Sequence, residues 1–196
     1  FLMEHEHLSY PEALRWLANK YNIEIEETQE TEEQIAAKHQ KEGLYLAQQF
    51  ANEFFKKSLK ETNEGKSVGL SYLKKRGYNL KTLDEFEIGY SPEDYNALEN
   101  EAKNSNYSLE PLKSSGLIKE GEKGTYDFFR GRIIFPIHNI TGRIIGFGGR
   151  TLRTDKKVAK YFNSPESEIY NKSNVLYGLF QSKSEIIKSD SCLLVE

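Results

Sequence analysis

The chain has 196 residues, is 37% hydrophobic and 29% charged, and carries a formal net charge of −3. This composition excludes a collagen-like or broadly disordered polymer, and no apolar run approaches the roughly 18 residues of a membrane-spanning helix. The single cysteine, Cys192, excludes an intramolecular disulfide and suits an intracellular setting.

The opening segment, FLMEHEHLSY, lacks the basic and apolar regions of a secretory signal. Residues 9–25, SYPEALRWLANKYNIEI, read as an amphipathic helix: Ser9 and Glu12 have capping-box spacing, Pro11 sits in the first turn, and Leu14, Leu17, Ala18 and Tyr21 share a face. The acidic run that follows offers little core and suits a tether, which sets a boundary at residues 26–34. From about Ile35 to Leu59 the spacing of Leu44, Ala47, Phe50, Ala51, Phe54, Phe55 and Leu59 predicts the longest helix. A short helix ending at Gly77 comes next, with Lys74, Lys75 and Arg76 crowding its last turn, where cations complement the helix dipole. A second short helix covers Leu80, Leu83 and Phe86, and an extended IGYSP leads out of it. Two short helical stretches occupy 93–115, and GLIKEGEKGTYDFF returns through a glycine-punctuated turn. The helical spacing of NVLYGLFQSKSEIIK precedes SCLLVE, an apolar run of strand length in which Cys192 is expected to be a small buried side chain. The chain opens on Phe1 inside a helical pattern and stops at Glu196 directly after that apolar run, so it is expected to be an excerpt.

Residues 131–152, GRIIFPIHNITGRIIGFGGRTL, read as two strands and a turn. Alternation puts Ile133, Phe135 and Ile137 on one face of the first strand and Arg130, Arg132 and Ile134 on the other, predicting one core face and one charged face. The second strand is apolar on both faces and therefore central, with Gly148-Gly149 expected to form a bulge or bend. Two readings of its glycines stand open: a neighbouring part of the protein packs close there, or a ligand's backbone does while arginines hold its phosphates. Downstream, KYFNSPESEIYNKSNVLYGL interleaves Lys160, Tyr161, Phe162, Asn163 and Lys172, as single-stranded nucleic-acid sites interleave cations and rings. Charge agrees. Residues 127–183 hold 10 basic and 4 acidic residues, against 7 and 13 in residues 1–64, so the acidic total hides a positive block. His5 and His7 are next but one on a helix and do not face one ligand; they read as surface histidines, and His39 and His138 have no evident partners.

RGRIIFPI, GRIIGFGGRTL, KYFNSPES and NKSNVLYGL, in this order ahead of CLLVE, resemble the bacterial replicative DNA primases of the DnaG type. FLMEHEHLSYPEALRWLANKYNIEI resembles the exit from that family's zinc-binding domain, and YLKKRG followed by FEIGYSP resembles the start of its core. The resemblance implies an α+β fold: N-terminal helices, a mixed and largely antiparallel sheet with flanking helices, then the first strand of a toprim domain. It implies four segments: 1–25 leaving the zinc domain, 26–34 a linker, 35–183 the N-terminal part of the catalytic core, and 184–196 the truncated start of toprim. It implies RNA primer synthesis on a single-stranded DNA template from NTPs in the bacterial cytoplasm, with helicase and single-strand-binding protein reached through regions absent from this chain, and no membrane partner. Matched motif by motif, Arg76, Arg132, Arg143, Arg150, Lys160, Tyr161, Asn163 and Lys172 would bind strand or nucleotide. Glu196 would be the first catalytic carboxylate, close to Mg²⁺ or Mn²⁺, with Zn²⁺ held upstream. One carboxylate does not build a divalent-metal site, so the excerpt alone is expected to be inactive. A phage-type primase-helicase, a non-catalytic strand-binding module, and a structural domain with a basic face are the other readings.

Overall fold

The computed structural model describes residue 3 and residues 8–24, 31–122, 124–153 and 159–195. His5, His7, residues 26–30 of the expected tether, and Glu196 therefore lie outside the described residues. The fold divides into two compact units, Phe1–His39 and Gln40–Glu196.

In the first unit, α1 (Tyr10–Tyr21) starts as its capping box requires, with the Glu12 carboxylate accepting from both the Ser9 N–H at 2.7 Å and the Ser9 hydroxyl at 2.6 Å. Its inward stripe is Ala13, Leu17 and Ala18; Leu14 and Tyr21, expected on that stripe, are exposed. The helix α2 (Glu32–Glu61) starts three residues ahead of the expected Ile35 because Thr31 and Gln34 form a second capping box, each accepting from the other's backbone N–H.

In the second unit, α2 contributes the buried row Leu44, Ala47, Ala51, Phe55 and Leu59. A π-helical turn (Gly65–Leu70) follows, pressed so closely on α2 that a Cβ on Gly65 would lie 1.9 Å from the Ser58 carbonyl oxygen. The short helices α3 (Ser71–Lys75) and α4 (Leu80–Glu85) lead into β1 (Gly89–Ser91), then α5 (Ala97–Asn104) and α6 (Leu109–Ser114). The hairpin β2 (Ile118–Gly121) and β3 (Gly124–Asp127) stands as a separate two-stranded sheet. The buried Asp127 carboxylate ends that hairpin by accepting from the N–H groups of Leu98 and Glu99 at 2.6 and 3.3 Å, which caps α5.

The main sheet is antiparallel in the order β1-β4-β5-β6, built from β4 (Arg132–His138), β5 (Ile144–Thr151) and β6 (Tyr161–Asn163). As expected, β5 is central. The strand runs regularly through Gly148 and Gly149, which pair with Phe135 and Ile134; the irregularity falls instead between Ile137 and His138. The expected charged face is also corrected, since Ile133 and Ile134, on opposite faces of β4, are both fully buried. Ile134 and Phe147 pack with Ala47, Ala51 and Phe55 of α2 and with α5 and α6, while Ile133 and Tyr90 pack with Leu59, Leu73 and Leu83 under α3 and α4.

A 3₁₀ turn (Lys172–Asn174) and α7 (Leu179–Ser189) complete the order of elements. The spacing of NVLYGLFQ predicts a longer helix, but Gly178 adopts φ +80° and α7 begins only after it. Its Phe180 ring lies against the hairpin turn where Gly142, at φ +88°, leaves no room for a side chain: a Cβ there would be 2.5 Å from Cζ of the ring. His138, expected without partners, is buried between Glu87 Oε2 at 2.9 Å from Nε2 and Gln181 Nε2 at 3.1 Å from Nδ1. The His138 ring, and after it the Lys56 ammonium, hold the Glu87 carboxyl well below the ordinary carboxylate range, at about 2. Cys192 is exposed, as are Leu193, Leu194 and Val195, and this apolar run forms no strand among the described residues. No described helix is long and apolar enough to cross a membrane.

Candidate nucleic-acid interface

Register assigns each site residue to a face of the sheet. Opposite residues of an antiparallel pair point to the same side, so Tyr90, Ile133, Arg150 and Tyr161 form one cross-sheet row. Asn163 stands on that face two residues from Tyr161 and opposite Gly148. Arg132, Thr151, Gly149 and Phe162 belong to the other face.

On the first face, the Arg150 guanidinium lies 5.0 Å from the centroid of the Tyr72 ring and 5.2 Å from that of Tyr161. Arg76, at the end of α3, lies 5.6 Å from the same Tyr72 ring. The π-helical turn makes this arrangement possible by seating α3 above the sheet; Gly69 in it would, with a Cβ, meet Leu59 at 2.9 Å and Tyr90 at 3.2 Å. Leu73 then anchors α3, leaving Arg76 exposed and Tyr72 half-buried over the sheet. Tyr161 is 56% exposed at the head of an edge strand, so one side of its ring is open to a planar partner. Lys160, also exposed, is fixed through its carbonyl, which accepts from the Thr151 N–H at 3.0 Å. The structure thus brings Arg76, Arg150 and Tyr161 together around the Tyr72 ring, with Asn163 on the same face and Lys160 next to Tyr161 in the chain. Lys172 is exposed in the 3₁₀ turn, its N–H donating to Glu166 Oε1 at 3.0 Å.

Two predicted residues stand apart. Arg143 precedes β5 and donates both forks of its guanidinium to Glu42 at 2.6 and 3.0 Å while lying 3.6 Å over the Tyr45 ring. Seven residues of strand separate it from Arg150, roughly 23 Å, so it serves the opposite end of the hairpin. Arg132 is 5% exposed: its Nη1 donates to the carbonyls of Gly149 at 3.3 Å and Ala159 at 3.1 Å, and its Cζ lies 3.9 Å from the Phe162 centroid. Burial pulls its pKa below the ordinary arginine value. The glycines follow from packing. A Cβ on Gly149 would be 2.5 Å from the Phe129 ring and 3.1 Å from Arg132 Cδ, and one on Gly146 would meet Ser164 and Tyr170 at 3.3 Å.

The sequence reading omitted Tyr72 and Arg130. Arg130 lies 3.6 Å over the Tyr95 ring and 5.9 Å from Tyr126. Together with Arg76, Arg132 and Arg150 it sets a pattern: among the described residues each of these four arginines rests on an aromatic ring and none pairs with a carboxylate, whereas Arg143 and Arg153 pair with Glu42 and Glu93. Guanidinium groups on rings keep their charge, and outside the buried Arg132 they keep outward donors, which suits forked contacts to phosphate beside stacked bases. A sequence signal for Tyr72 existed only in its position one turn before Arg76.

A family model for the DNA primase catalytic core, N-terminal domain, matches residues 54–183. A DNA primase of Halalkalibacterium halodurans is 38% identical over all of this chain and 32% of its own length. The RNA polymerase domain of Mycobacterium tuberculosis primase DnaG, solved with a double-stranded DNA oligomer bearing a 6-nucleotide overhang, is 30% identical with TM-score 0.69, over 76% of this chain and 46% of that one. The zinc-binding and RNA polymerase domains of the Aquifex aeolicus primase are 30% identical with TM-score 0.68, over 96% of this chain and 43% of that one. The chain spans about one third of the length of the curated relatives it matches.

Proposed function

Because the chain belongs to the DNA primase family through the N-terminal domain of its catalytic core, we propose that it guides single-stranded DNA template in an enzyme that makes short RNA primers from NTPs. The observation that carries this reading is the group Arg76, Tyr72, Arg150 and Tyr161: charge without a carboxylate partner among the described residues, set between rings, one of them open to solvent. Rings take bases, at about 1–3 kcal/mol each, and the guanidinium and ammonium groups take the phosphates between them. Lys160, Asn163 and Lys172 extend the surface along β6 and beyond it. Arg143, committed to Glu42, is not part of it.

The catalytic step belongs to Glu196 and to carboxylates supplied with it, in a protein that uses Mg²⁺ or Mn²⁺ there and Zn²⁺ in a separate domain. The residues described here do not make such a site: no group of three or more His, Cys, Asp or Glu could hold a metal among them. No step of the chemistry is assigned to this chain's described residues beyond holding the strand. The helicase and single-strand-binding protein are proposed to engage other parts of the protein. That the relatives are DNA primases supports an enzyme over a non-catalytic binding module.

Competition binding tests the reading. A fluorescently labelled single-stranded oligonucleotide should bind, resist displacement by blunt duplex at equal nucleotide concentration, and lose affinity on Arg150→Ala. Equal competition by duplex, or binding indifferent to Arg150, would remove the template-guiding role.

A further inference from the structure

Arg132 lies on the face of the sheet turned away from Arg150 and Tyr161, yet three strands converge on it. It belongs to β4. Its Nη1 donates to Gly149 in β5 and to Ala159, immediately ahead of Lys160 and β6, and its guanidinium carbon sits 3.9 Å from the ring of Phe162 in β6. The strand it holds is short: β6 has three residues and pairs with β5 alone. Such an edge has few backbone bonds of its own, so side-chain anchors decide how well it is fixed. Phe162 is wedged between Phe128 and Phe129 at ring distances of 4.8 and 5.2 Å, and Arg132 closes that stack. Its neighbours Lys160 and Tyr161 therefore carry exposed groups on a segment pinned from beneath. Gly149 belongs to the same arrangement, because only a residue without Cβ leaves passage for the Arg132 stem and the Phe129 ring.

We infer that Arg132 is a positioning residue for the strand-binding surface: it bonds no phosphate itself and acts by fixing the Ala159–Phe162 segment so that the Tyr161 ring meets the DNA in one geometry. At 5% exposure its head is spent on protein carbonyls and a ring. A lysine nitrogen could serve the two carbonyls but has no planar face to set against the Phe162 ring, so arginine is required for reasons of shape as much as charge. The inference rests on the template-guiding role proposed for the Arg150–Tyr161 surface.

Salt dependence separates positioning from contact. Loss of a phosphate contact lowers the slope of log affinity against log salt by about 0.7 for a single strand, whereas misplacing a stacking ring leaves the slope alone. In the intact protein, Arg132→Met should weaken binding of a single-stranded oligonucleotide at least fivefold, the low end of what one stacked base contributes, with the parental slope. In a Tyr161→Ala background the same substitution should cost less than about twofold, since the ring it positions is gone. Should Arg132→Met fold poorly, Phe162→Leu removes the ring beneath the guanidinium while keeping every charge, and should give the same pair of signatures. A slope lowered by about 0.7, a loss that persists undiminished beside Tyr161→Ala, or full affinity in both folded variants would each overturn the inference. If instead Arg150→Ala and Lys160→Ala leave the slope of the parent protein unchanged, the template-guiding reading fails first, independently of Arg132.

Discussion

Arg143 and Arg150 stand at the two ends of one strand and invite the same role, but their surroundings predict opposite results on substitution. Arg150 has rings on two sides and no carboxylate among the described residues, so its charge is available to a phosphate. Arg143 is held by both oxygens of Glu42, and that pair holds the Glu42 carboxyl below the ordinary range. Replacing Arg150 with Ala should remove one ion-releasing contact and flatten the salt slope by about 0.7. Across a tenfold rise in salt the parent should therefore lose about fivefold more affinity than the variant does. Replacing Arg143 with Ala should leave the slope unaltered and instead cost up to about 1 kcal/mol of stability, the range of an exposed ion pair. Fluorescence anisotropy with a labelled single-stranded oligonucleotide, titrated at several salt concentrations, reads the first quantity, and denaturant unfolding reads the second. Equal flattening by both substitutions would refute the assignment of strand contact by ion-pair status.

Tyr72→Phe should leave strand binding intact and hold or raise stability, because the Tyr72 hydroxyl is buried without a hydrogen-bond partner among the described residues and desolvating it costs about 1–3 kcal/mol; a fall in melting temperature would contradict this. Glu87 has a folded pKa of about 2 against an ordinary 4.5, a difference that caps its contribution at about 3.4 kcal/mol; partial exposure reduces that to about 2 kcal/mol. The folded value is the depressed one, so this stability is complete above pH 4.5 and disappears as pH falls through about 2. Glu87→Gln should accordingly be less stable than the parent at pH 7 by about 2 kcal/mol, with the gap closing on acidification; a gap constant from pH 7 to pH 2 would exclude the linkage. Gly149→Ala forces a Cβ to within 2.5 Å of Phe129 and should cost about 1–3 kcal/mol by overpacking, together with strand affinity if the displaced neighbour is Arg132. Calorimetry and anisotropy on the same variant check both.

Local signals in the sequence served where the physics is local. The Ser9 and Glu12 box and the strand pair around Asn139–Gly142 are each decided by residues within a few positions of one another. Thr31 and Gln34 carry the same box spacing, and reading it would have placed the start of α2 correctly. The pairing of Arg143 with Glu42, 101 residues away, has no local signal in the sequence. Tyr72 was missed for the same kind of reason, since it meets Arg150 only after the π-helical turn seats α3 over the sheet. The apolar run at Leu193–Val195 has strand composition, but a strand needs an edge to pair with, and composition alone does not supply one.

The pair of contacts to His138 fixes more than the position of α7. Glu87 can only accept, so Nε2 carries the ring proton and Nδ1 is left as an acceptor for the Gln181 amide nitrogen. If the ring gains a second proton, Nδ1 becomes a donor, and a half-turn of the Gln181 amide offers it an oxygen at the same place. A carboxylate or a lysine at position 181 would match only one of those two states. The glutamine matches both by rotating a single bond, so the last helix keeps its hold on the hairpin whichever charge the imidazole carries.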